Sequence, residues 1–111
     1  AVARTLQPTE YTVAAISIDE YVDAHRVKPT FIKIDAENAE HDILLGMKRT
    51  LNDMRPLVTL EVGDVKAGNY KDSASAVRLL IQHGYRAKEW KDGRLCDHAP
   101  TSSYLHANLL F

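Results

Sequence analysis

Phe31-Ile32-Lys33-Ile34-Asp35-Ala36-Glu37-Asn38-Ala39-Glu40 is the stretch on which the reading of this chain turns. Phe31 to Ile34 is a short β-rich run that ends in an acid, Asp35. A tight turn then opens a helix that carries Glu37 and Glu40 in its first turn. That order puts carboxylates at the carboxyl end of a strand, where open α/β sheets hold their ligands.

A second strong strand lies downstream at Leu57–Val62. It is nearly continuous in apolar residues, the habit of a parallel strand buried on both faces by helices. Glu61 interrupts this run, so Asp35 and Glu61 fall at the carboxyl ends of the two best strands. Parallel pairing would turn both toward one crevice. A buried carboxylate has to be paired or hydrogen-bonded, and such an arrangement is commonest at functional sites. The alternatives are that Glu61 points outward at its strand end or pairs with a lysine such as Lys33. Glu37 and Glu40 have a plain reading as well, since acids stabilise a helix N-terminus through its dipole.

Working outward, Tyr11 to Ile16 reads as a strand and Ser17 as the N-cap of a first helix. Glu20, three residues on, completes a capping box. Pro29 ends that element by pushing the preceding residue out of helical space. The second helix, from about Glu37, carries Ala39, Ile43, Leu44, Met47 and Leu51 at helical spacing, and Gly46 kinks or divides it. Gly63 to Asp72 is a loop whose Ala67-Gly68-Asn69-Tyr70 stretch is either a lid or an ordinary connection. A third helix runs from about Ser73 to His83, and Gly84 suits the left-handed position that follows a helix. Arg86–Lys91, the turn signal Asp92-Gly93 and Arg94–Asp97 form a hairpin, and Ala107–Phe111 is a final strand. Alternation of strands and helices predicts an α/β fold with a mostly parallel sheet, helices on both faces and an antiparallel addition at one edge. Residues 1–10 read as an irregular N-terminal segment and 11–111 as one α/β domain.

Composition narrows the function. With 111 residues the chain makes one small domain, and 45% hydrophobic with 26% charged residues is ordinary for a globular protein. A net charge of −1 argues against a nonspecific grip on nucleic acid or on an anionic membrane. The lone cysteine, Cys96, forms no internal disulfide, so a reducing cytoplasm is the default compartment. The five histidines, at 25, 41, 83, 98 and 106, show no zinc spacing. The five glycines, at 46, 63, 68, 84 and 93, form no Gly-x-Gly loop after a strand, so no nucleotide cradle is present.

From about Tyr11 to Phe111 the chain resembles the C-terminal half of FkbM-type methyltransferases. The segment Phe31–Glu40 is similar to the family's FIKIDVEGAE, with Asn38 in place of the usual glycine and His41 where an apolar residue is usual. Ser17–Tyr21, Ile43–Gly46, Arg55–Val62, Gly84–Tyr85 and Asn108–Phe111 follow the family pattern in order. The resemblance implies a partial Rossmann-like, class I methyltransferase sheet with an antiparallel final strand. It implies S-adenosylmethionine as cofactor, although the glycine-rich loop that binds it belongs to a half this stretch does not contain. It also implies an O-methyltransferase acting on a small hydroxylated natural product or sugar, inactive without that N-terminal half. Asp35 is then the first choice for the group that accepts the hydroxyl proton, with Glu37 and Glu61 orienting substrate or a metal. Without its neighbours the Phe31–Ile34 edge would be unpaired, so pairing with the missing half or self-association is expected. The rival expectation is a non-catalytic α/β module that binds a partner, or itself, through that edge.

Overall fold

A computed structural model describes residues 6–64 and 73–111. The elements run α1 (Ile18–His25), β1 (Phe31–Ile34), α2 (Glu40–Leu45), a π-helical turn (Thr50–Met54), β2 (Leu57–Val62), α3 (Ser73–Gln82), β3 (Lys88–Lys91), β4 (Arg94–Asp97) and β5 (Ala107–Leu110). The lid reading at Ala67–Tyr70 lies outside the described residues. Among the described residues no helix is long and apolar enough to cross a membrane.

The five strands form one sheet in the order β1-β2-β5-β3-β4. β1 and β2 pair in parallel, Phe31 opposite Leu57 and Ile34 opposite Leu60. The other three pairings are antiparallel, which corrects the expectation of a mostly parallel sheet. β1, β2 and β3 do share one direction. The final strand does not sit at an edge but returns between β2 and β3, so it separates strands that would otherwise pair in parallel.

The expectation of helices on both faces is also corrected. Val58, Leu60 and Val62 are at most 1% exposed, and Ile34 and Leu109 join them on the same face. On the opposite face Phe31 is 55% and Leu57 56% exposed, so β2 alternates in burial rather than being covered twice. The reason is topological. The crossovers β1–α2–β2 and β2–α3–β3 step the same way along the sheet, and right-handed connections that do so lay their helices on one face. Leu44, Met47 and Leu51 from the α2 region and Val77 and Leu80 from α3 fill the core on that face.

Tyr11 to Ile16 is not a strand. Residues 6–17 carry no regular structure, and Tyr11, Val13 and Ile16 are 83%, 80% and 62% exposed. β-propensity alone cannot make a strand where no neighbouring strand takes up the backbone N–H and C=O groups.

The capping box at Ser17 and Glu20 is present, with Glu20 N–H donating to Ser17 Oγ and Ser17 N–H to Glu20 Oε2. Asp19, beside it, binds a distant segment. Its carboxylate accepts the backbone N–H of Thr50 at 2.9 Å, the Thr50 hydroxyl at 2.7 Å and the Arg49 N–H at 3.0 Å. Gly46 divides the second helical segment as expected, and its carbonyl accepts the Asp19 N–H. Burial raises the Asp19 pKa, but the Thr50 hydroxyl, the Thr50 and Arg49 amides and the Arg49 charge outweigh it and hold the carboxyl below its usual value.

Asp19→Ala would leave the Thr50 amide and hydroxyl unpaired at a residue only 1% exposed. It is expected to cost about 2–3 kcal/mol, or roughly 10 °C in melting temperature. A depressed carboxylate pKa stabilises the fold above the unfolded value of about 3.9, and that contribution is lost as pH falls through the folded value. The gap in melting temperature between wild type and variant should therefore be widest at neutral pH and begin to narrow as pH falls below about 3.9.

Two stretches of the family pattern that lie far apart in sequence meet at the end of α3. Gly84 has φ +82°, Tyr85 N–H donates to Leu80 O and Gly84 N–H to Ile81 O, which closes the helix in a Schellman motif. The Arg55 guanidinium donates to the Gly84 carbonyl at 3.1 Å and lies 4.2 Å from the Tyr85 ring centre. Tyr85 Oη donates to Pro56 O at 3.0 Å. In the hairpin Asp92 and Gly93 both have positive φ, as a two-residue type I′ turn requires.

Candidate functional site

The parallel register runs as far as Ile34 beside Leu60, and Asp35 and Glu61 follow those two residues at the carboxyl ends of β1 and β2. A cleft of about 290 Å³ opens there. One wall is the turn between β1 and α2, with Glu37, Asn38 and Glu40. The floor is the end of β2, Glu61 to Asp64, and the far wall is Tyr104, Leu105 and His106 ahead of β5.

The first wall departs from the sequence expectation. Glu37 and Asn38 both have positive φ, 48° and 75°, and α2 begins only at Glu40. Glu37 is therefore a turn residue at the cleft and not part of the first helical turn. Glu40 is occupied locally, its carboxylate accepting the Ala36 N–H at 2.9 Å and closing the turn. Asn38 takes the left-handed conformation that glycine would supply, which asparagine tolerates better than other side chains. Asn38→Gly should therefore be tolerated, whereas Asn38→Val should lose about 1–2 kcal/mol in a denaturant titration because a β-branched residue is strained there.

Glu61 is the carboxylate best placed for chemistry. Its side chain is 24% exposed, and Oε1 is hydrogen-bonded to Nε2 of His106. A carboxylate can only accept, so this bond fixes the Nε2–H tautomer of a neutral His106. The Nδ1 lone pair is then left for another donor. His106 was not singled out from the sequence. No local signal marks it, because its partner lies 45 residues away in the chain.

Asp35 lies apart from this pair. Its carboxylate is 41% exposed, stands 3.7 Å from Lys33 Nζ and is not among the groups lining the cleft. Of the three sequence candidates the structure thus brings Glu37 and Glu61 to one cleft and leaves Asp35 outside its lining. The His41 side chain is 19% exposed, and its Nδ1 finds no hydrogen-bond partner among the described residues. Among the described residues no cluster of three or more His, Cys, Asp and Glu side chains could hold a metal ion.

Asp64 fastens the cleft floor to its far wall. Its carboxylate accepts Tyr104 N–H at 2.7 Å and Ser73 N–H at 2.9 Å, and its own N–H donates to Tyr104 O at 3.0 Å. The sequence offered no hint of this role, because nothing local relates residue 64 to residue 104.

Neither curated proteins nor solved structures yield a match to this chain. The family model for the methyltransferase FkbM domain matches residues 3–87, which takes in α1 through α3, the turn after β1 and both parallel strands. With most of its length covered, including the Phe31–Glu40 signature and Glu61, the chain belongs to the FkbM methyltransferase family.

Proposed function

We propose that this chain is the acceptor side of an S-adenosylmethionine-dependent O-methyltransferase whose substrate is a hydroxyl of a sugar or other small natural product. The observation that carries this reading is the Glu61–His106 pair in a cleft at the carboxyl ends of two parallel strands, in a chain of a methyltransferase family. In such a site positioning does most of the work, and a base that takes the hydroxyl proton adds to it. His106 Nδ1 receives that proton. Glu61 holds the imidazole in the required tautomer and stabilises the cation that forms, the division of labour of a base and its orienting acid. Glu37 and Asn38 present hydrogen-bonding groups to the acceptor from the opposite wall.

The family implies S-adenosylmethionine, which supplies the methyl group. The residues of this chain do not fit it on their own. The turn after β1 holds Asn38 and no glycine, and no Gly-x-Gly loop occurs in the sequence to cradle a nucleoside. On this reading a further segment carrying that loop completes the enzyme, and the chain alone is inactive.

The test joins the chain to a glycine-rich cofactor-binding half and follows a labelled methyl group from S-adenosylmethionine onto a panel of sugars and hydroxylated polyketides. Labelled ether product supports the reading. Measurable cofactor binding with no transfer to any hydroxyl sinks it. A second reading rests on the edge of β1, which is unpaired among the described residues, and on the face carrying Phe31, Leu57, Trp90 and Leu95, all well exposed. A protein that transfers no methyl group but associates through that edge would be the non-catalytic module instead.

A further inference from the structure

Behind the far wall of the cleft lies a second histidine that the proposed reaction does not use. The His98 side chain is 10% exposed and follows β4 directly. Its Nδ1 lies 2.9 Å from Glu89 Oε2, on β3, and its Nε2 lies 2.9 Å from Tyr104 Oη. Tyr104 is 8% exposed, and its hydroxyl oxygen also accepts the Thr101 N–H at 3.2 Å.

One assignment of protons satisfies every one of these groups. Glu89 can only accept, so Nδ1 carries the proton and donates to it. Nε2 is then a bare acceptor and takes the Tyr104 O–H. The Tyr104 oxygen keeps a lone pair for Thr101. His98 is thereby locked in the Nδ1–H tautomer, the opposite of the Nε2–H tautomer that Glu61 imposes on His106. Tyr104 is held by its main chain as well, through Asp64. The loop from 98 to 106 is thus pinned at its hydroxyl and at its backbone, and His106 stands two residues beyond the pin.

We infer that Glu89, His98 and Tyr104 are positioning residues for the cleft, a hydrogen-bonded chain that holds the 98–106 loop so that His106 meets Glu61. The importance of that meeting for chemistry rests on the function proposed above, but the positioning itself does not. Glu89, its side chain 35% exposed, lies on the helix-covered side of the sheet, across from Cys96 and beside Leu109, so the chain runs from that side of the sheet to the cleft wall.

The test reads the ring nitrogens of ¹⁵N-histidine-labelled protein by NMR at about pH 8. Wild type should show two opposite fixed tautomers, Nδ1–H at His98 and Nε2–H at His106. Tyr104→Phe removes only the hydroxyl, and the two His106 nitrogen signals should then move toward one averaged value while the protein still melts cooperatively. A buried network that served stability alone would lower the melting temperature and leave the His106 signals in place, and that result overturns the inference. If Tyr104→Phe does not fold, Glu89→Gln decides in the same way. The amide removes the charge that selects the Nδ1–H form, so averaging at His106 supports the inference and an unchanged His106 overturns it. No methyl transfer enters this readout, so its failure is distinct from a failure of the proposed reaction.

Discussion

Glu61→Gln is expected to lower the turnover of the completed enzyme by about 10²–10⁴-fold, with the larger part in kcat and little in KM. Glutamine fits the site and can still accept the His106 Nε2–H. It lacks the charge that stabilises the imidazolium once His106 has taken the acceptor's proton, and its amide can turn its NH₂ toward the ring and invert the tautomer. The ground-state complex feels little of this, because no cation exists before the proton moves. Asp35→Ala removes a carboxylate outside the cleft lining and beside Lys33, and turnover should be largely unchanged. Initial rates across the two variants test the assignment. A Glu61→Gln enzyme as fast as wild type, with Asp35→Ala slow, would return the proton-accepting role to Asp35.

Leu60→Ala should have the largest effect on stability, about 3–5 kcal/mol. Leu60 is fully buried, and its register partners are Ile34 on one side and Leu109 on the other. It therefore sits where the parallel and antiparallel parts of the sheet join under the helical layer. Truncation removes the transfer energy of three carbons and leaves a hole that two hydrogen-bonded strands cannot close. Domains of this size are stable by only about 5–15 kcal/mol, so the variant should unfold at markedly lower denaturant or be partly unfolded at 37 °C. Leu57→Ala, on the open face of the same strand and 56% exposed, should cost far less. Equal losses at the two positions would mean that the open face is covered in solution.

That contrast also marks where sequence reading ran out. Leu57 and Leu60 look alike in the run Leu57–Val62, whose near-continuous apolar character suits burial on both sides. What distinguishes them is the side of the sheet on which α2 and α3 lie. That side follows from the order β1-β2-β5-β3, in which both crossovers step the same way. Glu61 was legible because a carboxylate in an apolar strand is conspicuous. His106 and Asp64 were not, since each acquires its partner across more than 35 residues of chain. Tyr11–Ile16 misled for a related reason, as its composition suits a strand and no described strand lies beside it.

The residue order alone determined the local pieces: the capping box at Ser17, β1 and β2, the glycine stop at Gly84 and the Asp92-Gly93 hairpin. Each depends on neighbours within a few positions, where backbone sterics and short-range hydrogen bonds act. Only the tertiary structure decided which face of the sheet is bare, which of Asp35, Glu37 and Glu61 share a cleft, and that two histidines meet carboxylates through opposite ring nitrogens. Those features depend on long-range register and packing, and the same local segments in a different strand order would have produced another site.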